Sequence, residues 1–453
     1  MEKGKVKIIA TLGPASDKEI TIKRLILNGV NVFRLNFSHG DPEYFSKIIK
    51  IINKLKKKLR KNVSIFVDLP GPKIRTGLLK NAQLEIKQGV KYTLGPGGEI
   101  PTTKDIARSI SLGKNVLLSD GKIEVRPIKR TRDLVIVRAL NDGILLSEQS
   151  INSPGLVYEK TYPTHKDVEA IKFGLSHGID TFALSFVSKK EDVLKTRKMT
   201  GKDSVLIAKI ERKEALQNFD EIATASDVIM IARGDLGLNL DIAQVPFIQR
   251  KLIRKANELS KPVITATQML ESMTQGRMPT RAEADDVFTA VTEGTDAVML
   301  SEETAIGAYP VKTVDTLRKL IGFNYRKLGT AEYKIKGEGD ALMGGIASLS
   351  GKTGIKTIIL DTKDIKNAFR LSRYHLDFNI FVVAKRENIN DLLNFGRDIV
   401  PIRANALSTA LKRIKNDYAL EKAILVSDTS TDKKSIAKID ILNLRPSLKN
   451  KRI

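Results

Sequence analysis

The chain has 453 residues, 42% of them hydrophobic, with no cysteine and a formal net charge of +25 at pH 7. Its length exceeds what one hydrophobic core normally serves. Its apolar runs fall short of the roughly 18 residues of a membrane span. Its amino terminus leads directly into a strand pattern, so we expect no signal peptide. These features exclude disulfides and thiolate metal sites, and they predict a cytoplasmic protein of up to three domains without a membrane partner.

The first third of the barrel pattern is an alternation of strands and helices. Strands are predicted at residues 5–12, 32–36 and 64–68, and the capping-box sequence Ser16–Glu19 opens the first helix. The second strand ends in Arg34, Asn36 and Ser38, whose spacing of two places them on one side, and the third ends in Asp68. We expect these polar side chains to meet at one edge of a parallel sheet.

A cluster of lysines at residues 54–58 lies in the amphipathic helix predicted for residues 44–59, where we expect it to form the solvated face. The remaining positive charge is spread along the chain, without a basic stripe interleaved with aromatic residues and without zinc-finger spacing. We therefore predict no nucleic-acid partner. A non-catalytic nucleic-acid binder stays open as an alternative, because the net charge alone permits it.

The pattern changes between residues 83 and 151, where short alternating segments replace the helices. Asp120–Gly121 and Asn141–Gly143 are typical of hairpin turns. We predict a small antiparallel β domain inserted into the α/β framework.

The alternation then resumes and completes eight strands. Further strands are predicted at residues 181–187, 205–207, 228–231, 262–266 and 296–300, and capping-box sequences at 188–191 and 280–283 open two of the helices. Eight parallel strands that alternate with helices predict a (β/α)8 TIM barrel. Four more strands between residues 357 and 427 predict a smaller C-terminal α/β domain. The expected domains are residues 1–73 with 157–328 (barrel), 74–156 (insert) and 329–453 (C-terminal).

The ends of the fifth and sixth strands carry Lys209, Glu211 and Asp235. Lys209 and Glu211 are two residues apart, so on a strand they point to the same side. Ligands bind at this edge of parallel α/β proteins, and we expect a functional site there. A purely structural ion pair between Lys209 and Glu211 is the alternative.

Seven motifs of the chain resemble, in the same order, those of the pyruvate kinase family. They are ATLGPAS at 10–16, RLNFSHG at 34–40, GPKIRTG at 71–77, IAKIE at 207–211, ARGDLG at 232–237, TATQMLESM at 265–273 and PTRAEADDV at 279–287. The resemblance implies a TIM barrel with an inserted small β-barrel domain, and transfer of the phosphoryl group of phosphoenolpyruvate to ADP, giving ATP and pyruvate in the last step of glycolysis. It also implies a homotetramer.

The resemblance implies roles for individual residues. Glu211 and Asp235 match the carboxylates that hold Mg²⁺ or Mn²⁺, which are hard cations that prefer oxygen ligands. Lys209 matches the lysine that contacts the phosphoryl group in transfer, and Arg34 the arginine that clamps the same phosphate. Phosphoryl transfer needs such positive charge because the protein mainly positions the group and offsets its charge.

Two further binding segments are implied by the same resemblance. Ala232, Gly234 and Asp235 match the backbone that binds the substrate carboxylate, with Thr267 beside it and near the carbon that becomes protonated. The residues that match positions near the nucleotide phosphates are Asn36, His39 and Arg75. A different Mg²⁺-dependent barrel lyase acting on pyruvate-like acids remains an alternative, since it too could use a glutamate and an aspartate on successive strands.

A third expectation concerns K⁺. Asn36, Ser38 and Asp68 resemble residues that hold a monovalent cation beside the phosphate, but Lys73 stands where members that bind K⁺ carry a glutamate. A lysine ammonium is a compact +1 charge, so we predict that Lys73 substitutes for K⁺, with Asp68 as its partner, and that the enzyme needs no K⁺. The alternatives are that Lys73 is a solvated turn residue and that Asn36 and Ser38 merely satisfy each other.

Two expectations concern regulation and motion. The loop at residues 361–367 contains two aspartates and few hydroxyl groups, which makes a poor phosphate cradle, so we predict no strong activation by fructose 1,6-bisphosphate. The inserted β domain is expected to close over the site as a lid.

Overall fold

The computed structural model describes residues 5–119, 121–153, 162–325, 333–385, 391–418, 420–431 and 434–444. The first segment of the barrel contains β1 (Lys7–Thr11), α1 (Glu19–Leu27), β2 (Val30–Asn36), α2 (Pro42–Leu59) and β3 (Ser64–Asp68). The apolar face of α2 carries Phe45, Ile48, Ile49, Ile52 and Leu55, which are buried, while the cluster of lysines at its end is largely outside the core, as predicted.

The inserted segment consists of seven short strands. They are β4 (Gln83–Ile86), β5 (Lys91–Leu94), β6 (Val116–Leu118), β7 (Ile123–Arg130), β8 (Val135–Ala139), β9 (Gly143–Leu146) and β10 (Ile151–Asn152). The order β10-β6-β7-β8-β5 forms one antiparallel sheet, and β4 pairs with β9 in a second. One apolar core serves both sheets, and Phe186 of the barrel packs into it.

The turn predicted at Asn141–Gly143 does not close a hairpin, because β8 and β9 belong to different sheets. Asn141 instead accepts a hydrogen bond from Glu124 N at 2.8 Å and donates to Lys122 O at 2.9 Å, so its side chain links the crossing segment to β7. The turn predicted at Asp120–Gly121 lies between the paired strands β6 and β7, although Asp120 is outside the described residues.

The barrel continues after the insert. Its elements are α3 (His165–Ser176), β11 (Thr181–Leu184), α4 (Lys190–Thr200), β12 (Val205–Ile210), α5 (Lys213–Gln217), α6 (Phe219–Ala225), β13 (Val228–Ala232), α7 (Arg233–Asn239), α8 (Val245–Glu258), β14 (Val263–Ala266), α9 (Arg281–Glu293), β15 (Ala297–Leu300), α10 (Glu302–Ala305) and α11 (Pro310–Tyr325), with 3-10 turns at Ile242–Gln244 and Glu271–Thr274. The parallel order β1-β15-β14-β13-β12-β11-β3-β2 closes the predicted eight-stranded barrel. Val32, Phe66 and Met230 belong to the apolar cluster that fills its inside.

The predicted capping boxes have different outcomes. The box at Thr280–Glu283 is confirmed by reciprocal hydrogen bonds. The helix after residue 188 is capped one residue later than predicted, because Asp192, not Glu191, accepts from Ser188 and Lys189. The box at Ser16 is wrong, since the Ser16 hydroxyl bonds to the turn at Gly13 and leaves α1 without a side-chain cap.

The last part of the chain forms a separate sheet. Its elements are α12 (Glu338–Thr353), β16 (Thr357–Asp361), α13 (Lys366–Ser372), β17 (Asn379–Ala384), β18 (Ile399–Arg403), α14 (Leu407–Tyr418), β19 (Lys422–Thr431) and β20 (Lys434–Asn443), in the sheet order β18-β17-β16-β19-β20. This unit contacts the amino-terminal end of the barrel, where Lys7 Nζ donates to Ile399 O at 2.5 Å and Arg397 N donates to Asp296 at 3.1 Å. The opposite end of the barrel carries the predicted site. None of the described helices is long and apolar enough to cross a membrane.

Candidate active site

Lys209 lies at the centre of the polar residues at the carboxyl end of the barrel. It is the fifth residue of β12, and its buried Nζ donates to Ser185 Oγ at 2.7 Å and to the two carboxylate oxygens of Asp68 at 3.2 and 3.4 Å. Glu211 Oε1 lies 3.0 Å from the same nitrogen. Burial alone would lower the pKa of Lys209, but the carboxylates of Asp68 and Glu211 outweigh it, so the pKa is raised. The ammonium is therefore charged at neutral pH and held from three sides.

Asp68 joins the two predicted phosphate-binding cations. Arg34 Nε donates to Asp68 Oδ2 at 2.6 Å, and Arg34 Nη1 also donates to Thr11 Oγ1 at 3.1 Å. The carboxylate is 1% exposed, and burial would raise its pKa, but Lys209 and Arg34 lower it below the ordinary value. Arg34 and Lys209 thus lie on either side of one ionised carboxylate, which fixes both cations in place.

Glu211 is the second buried carboxylate of the site. Its Oε2 accepts a hydrogen bond from Phe186 N at 2.7 Å, whereas its buried Oε1 forms an ion pair with the Lys209 ammonium at 3.0 Å but no hydrogen bond of regular geometry with the described residues. Burial raises the pKa of Glu211, the Lys209 ammonium opposes this rise, and the negative charge of Asp235 adds to it. Two carboxylates whose charges repel, one with an oxygen that lacks a hydrogen bond, suit a hard divalent cation.

The protein supplies few ligands for such a cation. Within the described ranges, no group of three or more His, Cys, Asp or Glu side chains is arranged to hold a metal. The predicted donor set is Glu211 with Asp235, and a six-coordinate ion held by these two would draw its other oxygen ligands from substrate and water. The residues fit Mg²⁺ or Mn²⁺ on this condition.

Lys73 reaches into the site, but the partner predicted for it was wrong. Its Nζ lies 2.9 Å from Asp235 Oδ1 and 5.8 Å from the centre of the Phe186 ring, and its side chain is 16% exposed. Arg34 and Lys209 form the ion pairs with Asp68, whereas Lys73 forms an ion pair with Asp235. The interpretation of Lys73 as a solvated turn residue is also wrong.

The turn that carries Lys73 is anchored to the barrel. Gly71 N donates to Asp167 Oδ1 at 2.8 Å, and Asp167 also forms the capping box of α3 with Thr164. Gly71 has φ of +68°, and a Cβ there would lie 2.9 Å from the Cβ of Ser185. Glycine is required at this position by both its backbone conformation and its close approach to β11.

The residues predicted near the nucleotide and the monovalent cation are only partly brought together. Asn36 pairs with Asp68 across β2 and β3, and its side chain accepts from Ser38 N at 3.2 Å. The alternative interpretation was that Asn36 and Ser38 form hydrogen bonds with each other. The structure shows such a bond, but its donor is the Ser38 backbone N–H. The His39 side chain is exposed. Arg75 Nη1 donates to Glu148 O at 2.8 Å, so this guanidinium is bound to the inserted segment.

The ends of β13 and β14 are joined by Thr267. Its Oγ1 accepts from Gly234 N at 2.8 Å and donates to Ala266 O at 2.6 Å. Thr267 is therefore in direct contact with the predicted carboxylate-binding segment from Ala232 to Asp235. Its hydroxyl oxygen is the acceptor of the Gly234 N–H.

Two residues of the site were missed at the level of sequence. Ser185, at the end of the fourth strand, had no predicted role, yet it bonds both Lys209 and Asp68. Arg233 lies within ARGDLG, and its guanidinium contacts the backbone of Thr267. Ser185 could have been found from its position, because it is a polar residue where a barrel strand ends. Arg233 could have been found because it is a charged residue directly after an apolar strand and inside a motif.

Comparisons with known proteins agree with this geometry. Residues 3–314 match the family model described as "Pyruvate kinase, barrel domain". A pyruvate kinase of Thermotoga maritima is 37% identical over 452 residues, covering 94% of this chain and 95% of the relative, and one of Thermococcus litoralis is 46% identical over 326 residues, covering 70% and 69%. A pyruvate kinase of Bacillus licheniformis is 36% identical over 440 residues, covering 93% and 74%. The chain therefore belongs to the pyruvate kinase family and is an enzyme of the transferase class.

Proposed function

We propose that this enzyme transfers the phosphoryl group of phosphoenolpyruvate to ADP, giving ATP and pyruvate, as the last step of glycolysis in the cytoplasm. The observation that carries the proposal is the buried set of Lys209, Arg34 and Asp68 beside Glu211 on a pyruvate kinase barrel. Two fixed cations next to two carboxylates form an array that suits a dianionic phosphate and a divalent cation together.

Arg34 and Lys209 bind the transferring phosphate. Asp68 and Ser185 hold the Lys209 ammonium in place, so it needs little reorganisation when charge develops on the phosphoryl oxygens. Because the carboxylates raise the pKa of Lys209, the group keeps its proton throughout the neutral range. Arg34 offers the remaining donors of its guanidinium fork, since Asp68 and Thr11 take Nε and Nη1.

Glu211 and Asp235 would hold the Mg²⁺ or Mn²⁺. A bound divalent cation would offset negative charge on the substrate. Glu211 presents Oε1 for this purpose, and Phe186 N holds its other oxygen. The Lys73 ammonium lies 2.9 Å from Asp235 Oδ1, so one of the two carboxylates that would hold the cation is already paired with a positive charge.

The substrate carboxylate binds to the backbone from Ala232 to Asp235. Thr267 Oγ1 accepts the Gly234 N–H, so the incoming carboxylate binds beside this bond, at the remaining backbone N–H groups that begin α7. The Thr267 side chain, held by the same bond, lies beside the carbon that is protonated when enolpyruvate becomes pyruvate.

Asn36, His39 and Arg75 bind the phosphates of ADP. Arg75 follows the turn that joins β3 to the insert and bonds to Glu148 O within the insert, so lid position and nucleotide binding involve the same side chain. Closure of the insert as a lid excludes water that would otherwise compete with ADP for the phosphoryl group.

Lys73 makes K⁺ unnecessary. Asn36, Ser38 and Asp68 form the part of the site that resembles a monovalent-cation site, and the Lys73 ammonium supplies a fixed positive charge at the edge of the same site. The predicted partner of Lys73 was Asp68. Because Lys73 pairs with Asp235 instead, its positive charge lies beside a proposed ligand of the divalent cation. A fixed ammonium also disfavours a second cation nearby.

The enzyme is proposed to be a homotetramer without strong activation by fructose 1,6-bisphosphate. In the loop after β16, the Thr362 hydroxyl and the Lys363 N–H both donate to Asp428, at 3.0 and 2.6 Å. Asp364 is paired with Arg370 at 2.6 Å. These donors serve carboxylates of the protein, which supports the prediction that the loop does not cradle a phosphate.

A coupled assay tests the proposal. Phosphoenolpyruvate, ADP and Mg²⁺ should yield ATP and pyruvate together, and Glu211→Gln should remove most of the activity because it deletes one charge from the metal-ligand pair. Formation of pyruvate without ATP would favour the barrel lyase. Tight nucleic-acid binding that persists at high salt, without any turnover, would favour the binding protein.

A further inference from the structure

Arg233 makes more polar contacts than any role assigned above requires. The residue is 8% exposed. Its Nη2 donates to Thr267 O at 2.6 Å, to Gln268 O at 3.2 Å and to Met269 Sδ at 2.8 Å. Its Nη1 donates to Asp286 Oδ1 at 2.6 Å and to Gln249 Oε1 at 3.2 Å. One side chain thus links the end of β13 to the end of β14 and to α8 and α9.

The backbone that Arg233 holds is in an unfavourable conformation. Thr267 and Gln268 have φ of +69° and +54°, in the left-handed region that favours glycine. Two such consecutive residues that carry a Cβ are strained and persist only where the surroundings hold them. The guanidinium binds the carbonyl oxygens of both residues, so it holds this turn directly.

The same turn sets the distance between Thr267 Oγ1 and Gly234 N, which is 2.8 Å. Gly234 directly follows Arg233 in the chain. The side chain of Arg233 and the amide of its neighbour therefore contact the same threonine, one through the carbonyl oxygen and the other through the hydroxyl. If the guanidinium were lost, the hydroxyl would have no fixed position relative to the amide.

The charge of Arg233 is neutralised away from the proposed substrate. Asp286 lies on α9, and Gln249, the other acceptor of Nη1, donates in turn to Glu293 at 2.8 Å. A lysine could not replace this arrangement, because its donors all lie on one nitrogen, whereas the planar guanidinium directs donors toward two elements at once.

We propose that Arg233 is the positioning residue of the carboxylate site: it holds the left-handed turn at Thr267 and Gln268 and thereby fixes Thr267 Oγ1 against the Gly234 N–H. The role of this pair in binding the substrate carboxylate rests on the proposed function. The positioning itself is a property of the free protein and has its own measurement.

The test uses Arg233→Lys with Arg197→Lys as a matched control. Arg197 is also an arginine that pairs with a carboxylate, Asp227 at 2.6 Å, and donates to backbone carbonyls, but at the opposite end of the barrel. In protein labelled with ¹⁵N-glycine, the Gly234 amide resonance, assigned by its loss in Gly234→Ala, should exchange with solvent faster in Arg233→Lys and at an unchanged rate in Arg197→Lys. An unchanged Gly234 amide in Arg233→Lys overturns the proposal, whatever the activity.

Kinetics supply the second readout. Arg233→Lys should raise the KM for phosphoenolpyruvate and lower kcat/KM by about 10- to 100-fold, as expected for groups displaced by about an ångström, and leave the KM for ADP unchanged. Equal losses in Arg197→Lys, or equal changes for both substrates, would indicate general destabilisation and contradict the proposal. If Arg233→Lys does not fold, Asp286→Asn is measured instead, since it keeps an acceptor but removes the charge. A wild-type enzyme without transfer activity would refute the proposed function alone, because the exchange rate of the Gly234 amide does not depend on turnover.

Discussion

Replacing Lys209 by methionine removes the ammonium and keeps most of the length and volume of the side chain. In the native site that ammonium lies within 3.4 Å of Asp68, Ser185 and Glu211. If Lys209 stabilises charge that develops on the phosphoryl group, its loss should reduce turnover far more than substrate binding, since Arg34 and the divalent cation still bind the ground state.

The magnitude follows from the burial of the group. One preorganised donor aimed at developing charge contributes about 10²–10³ in kcat, or roughly 3–4 kcal/mol, in a site without bulk water. We therefore expect Lys209→Met to lower kcat by about 10³ and to change the dissociation constant of phosphoenolpyruvate by less than about tenfold. The substitution also leaves Glu211 without its nearby cation, so the already raised pKa of Glu211 should rise further and activity at low pH should suffer most.

The assay combines steady-state kinetics with calorimetric titration of phosphoenolpyruvate, since the chain contains no tryptophan to report binding by fluorescence. Lys255→Met is the control, because Lys255 forms an exposed pair with Asp220 at 2.9 Å, whose loss should cost less than about 1 kcal/mol. A Lys209→Met enzyme that folds and retains kcat within tenfold of the wild type would refute the role of Lys209.

The remaining predictions concern pH, K⁺ and motion. Burial lowers the pKa of Lys7 to about 8 from 10.5, so the unfolded chain binds more protons than the folded chain between these values. The charged Lys7 therefore destabilises the fold by ~3 kcal/mol below pH 8, and this penalty is relieved as the pH rises toward 10.5. The unfolding free energy of the wild type minus that of Lys7→Met should rise from pH 8 to 10, and a constant value would contradict this. Lys73→Glu should create a K⁺ requirement, whereas a native enzyme that is nearly inactive in buffer without K⁺ or Na⁺ and recovers on adding K⁺ would disprove the substitution. Small-angle scattering should show a more compact particle when substrates and Mg²⁺ are added, and identical curves would argue against closure of the lid.

The barrel could be predicted because strands buried on both faces appear as short apolar runs that end in polar residues. Val228–Ala232 is such a run, and all five of its residues are buried. The same logic located Arg34, Asp68, Lys209 and Glu211, since parallel strands bring their carboxyl ends to one edge. The structure brings these four into direct contact.

The contacts made by the ends of long side chains could not be predicted in this way. Lys73 is close in sequence to Asp68, but the ammonium at the end of its side chain meets Asp235, 162 residues away. Arg233 was hidden for a similar reason, because its contacts run to two helices and a neighbouring strand. Neither the hydrophobic periodicity nor the residue types in a turn specify which residues the end of a long side chain contacts.

Local competition explains the errors at helix starts and in the insert. A serine can cap a helix or bond to an adjacent turn, and Ser16 does the latter. In the insert, the sequence Asn141–Gly143 suits a hairpin, but its strands find partners in two different sheets. Sheet pairing is a long-range choice that a short turn does not decide.

Direct transfer of the phosphoryl group from phosphoenolpyruvate to ADP in this site can be followed in a single experiment. ³¹P NMR of one reaction mixture, with phosphoenolpyruvate, ADP, Mg²⁺ and the enzyme, follows donor, acceptor and free phosphate at the same time. We expect the phosphoenolpyruvate signal to fall as the ATP γ-phosphate signal rises in equal amount, without inorganic phosphate, and we expect Lys209→Met to slow both changes by about 10³. Loss of phosphoenolpyruvate with release of inorganic phosphate, or no reaction at all, would contradict it.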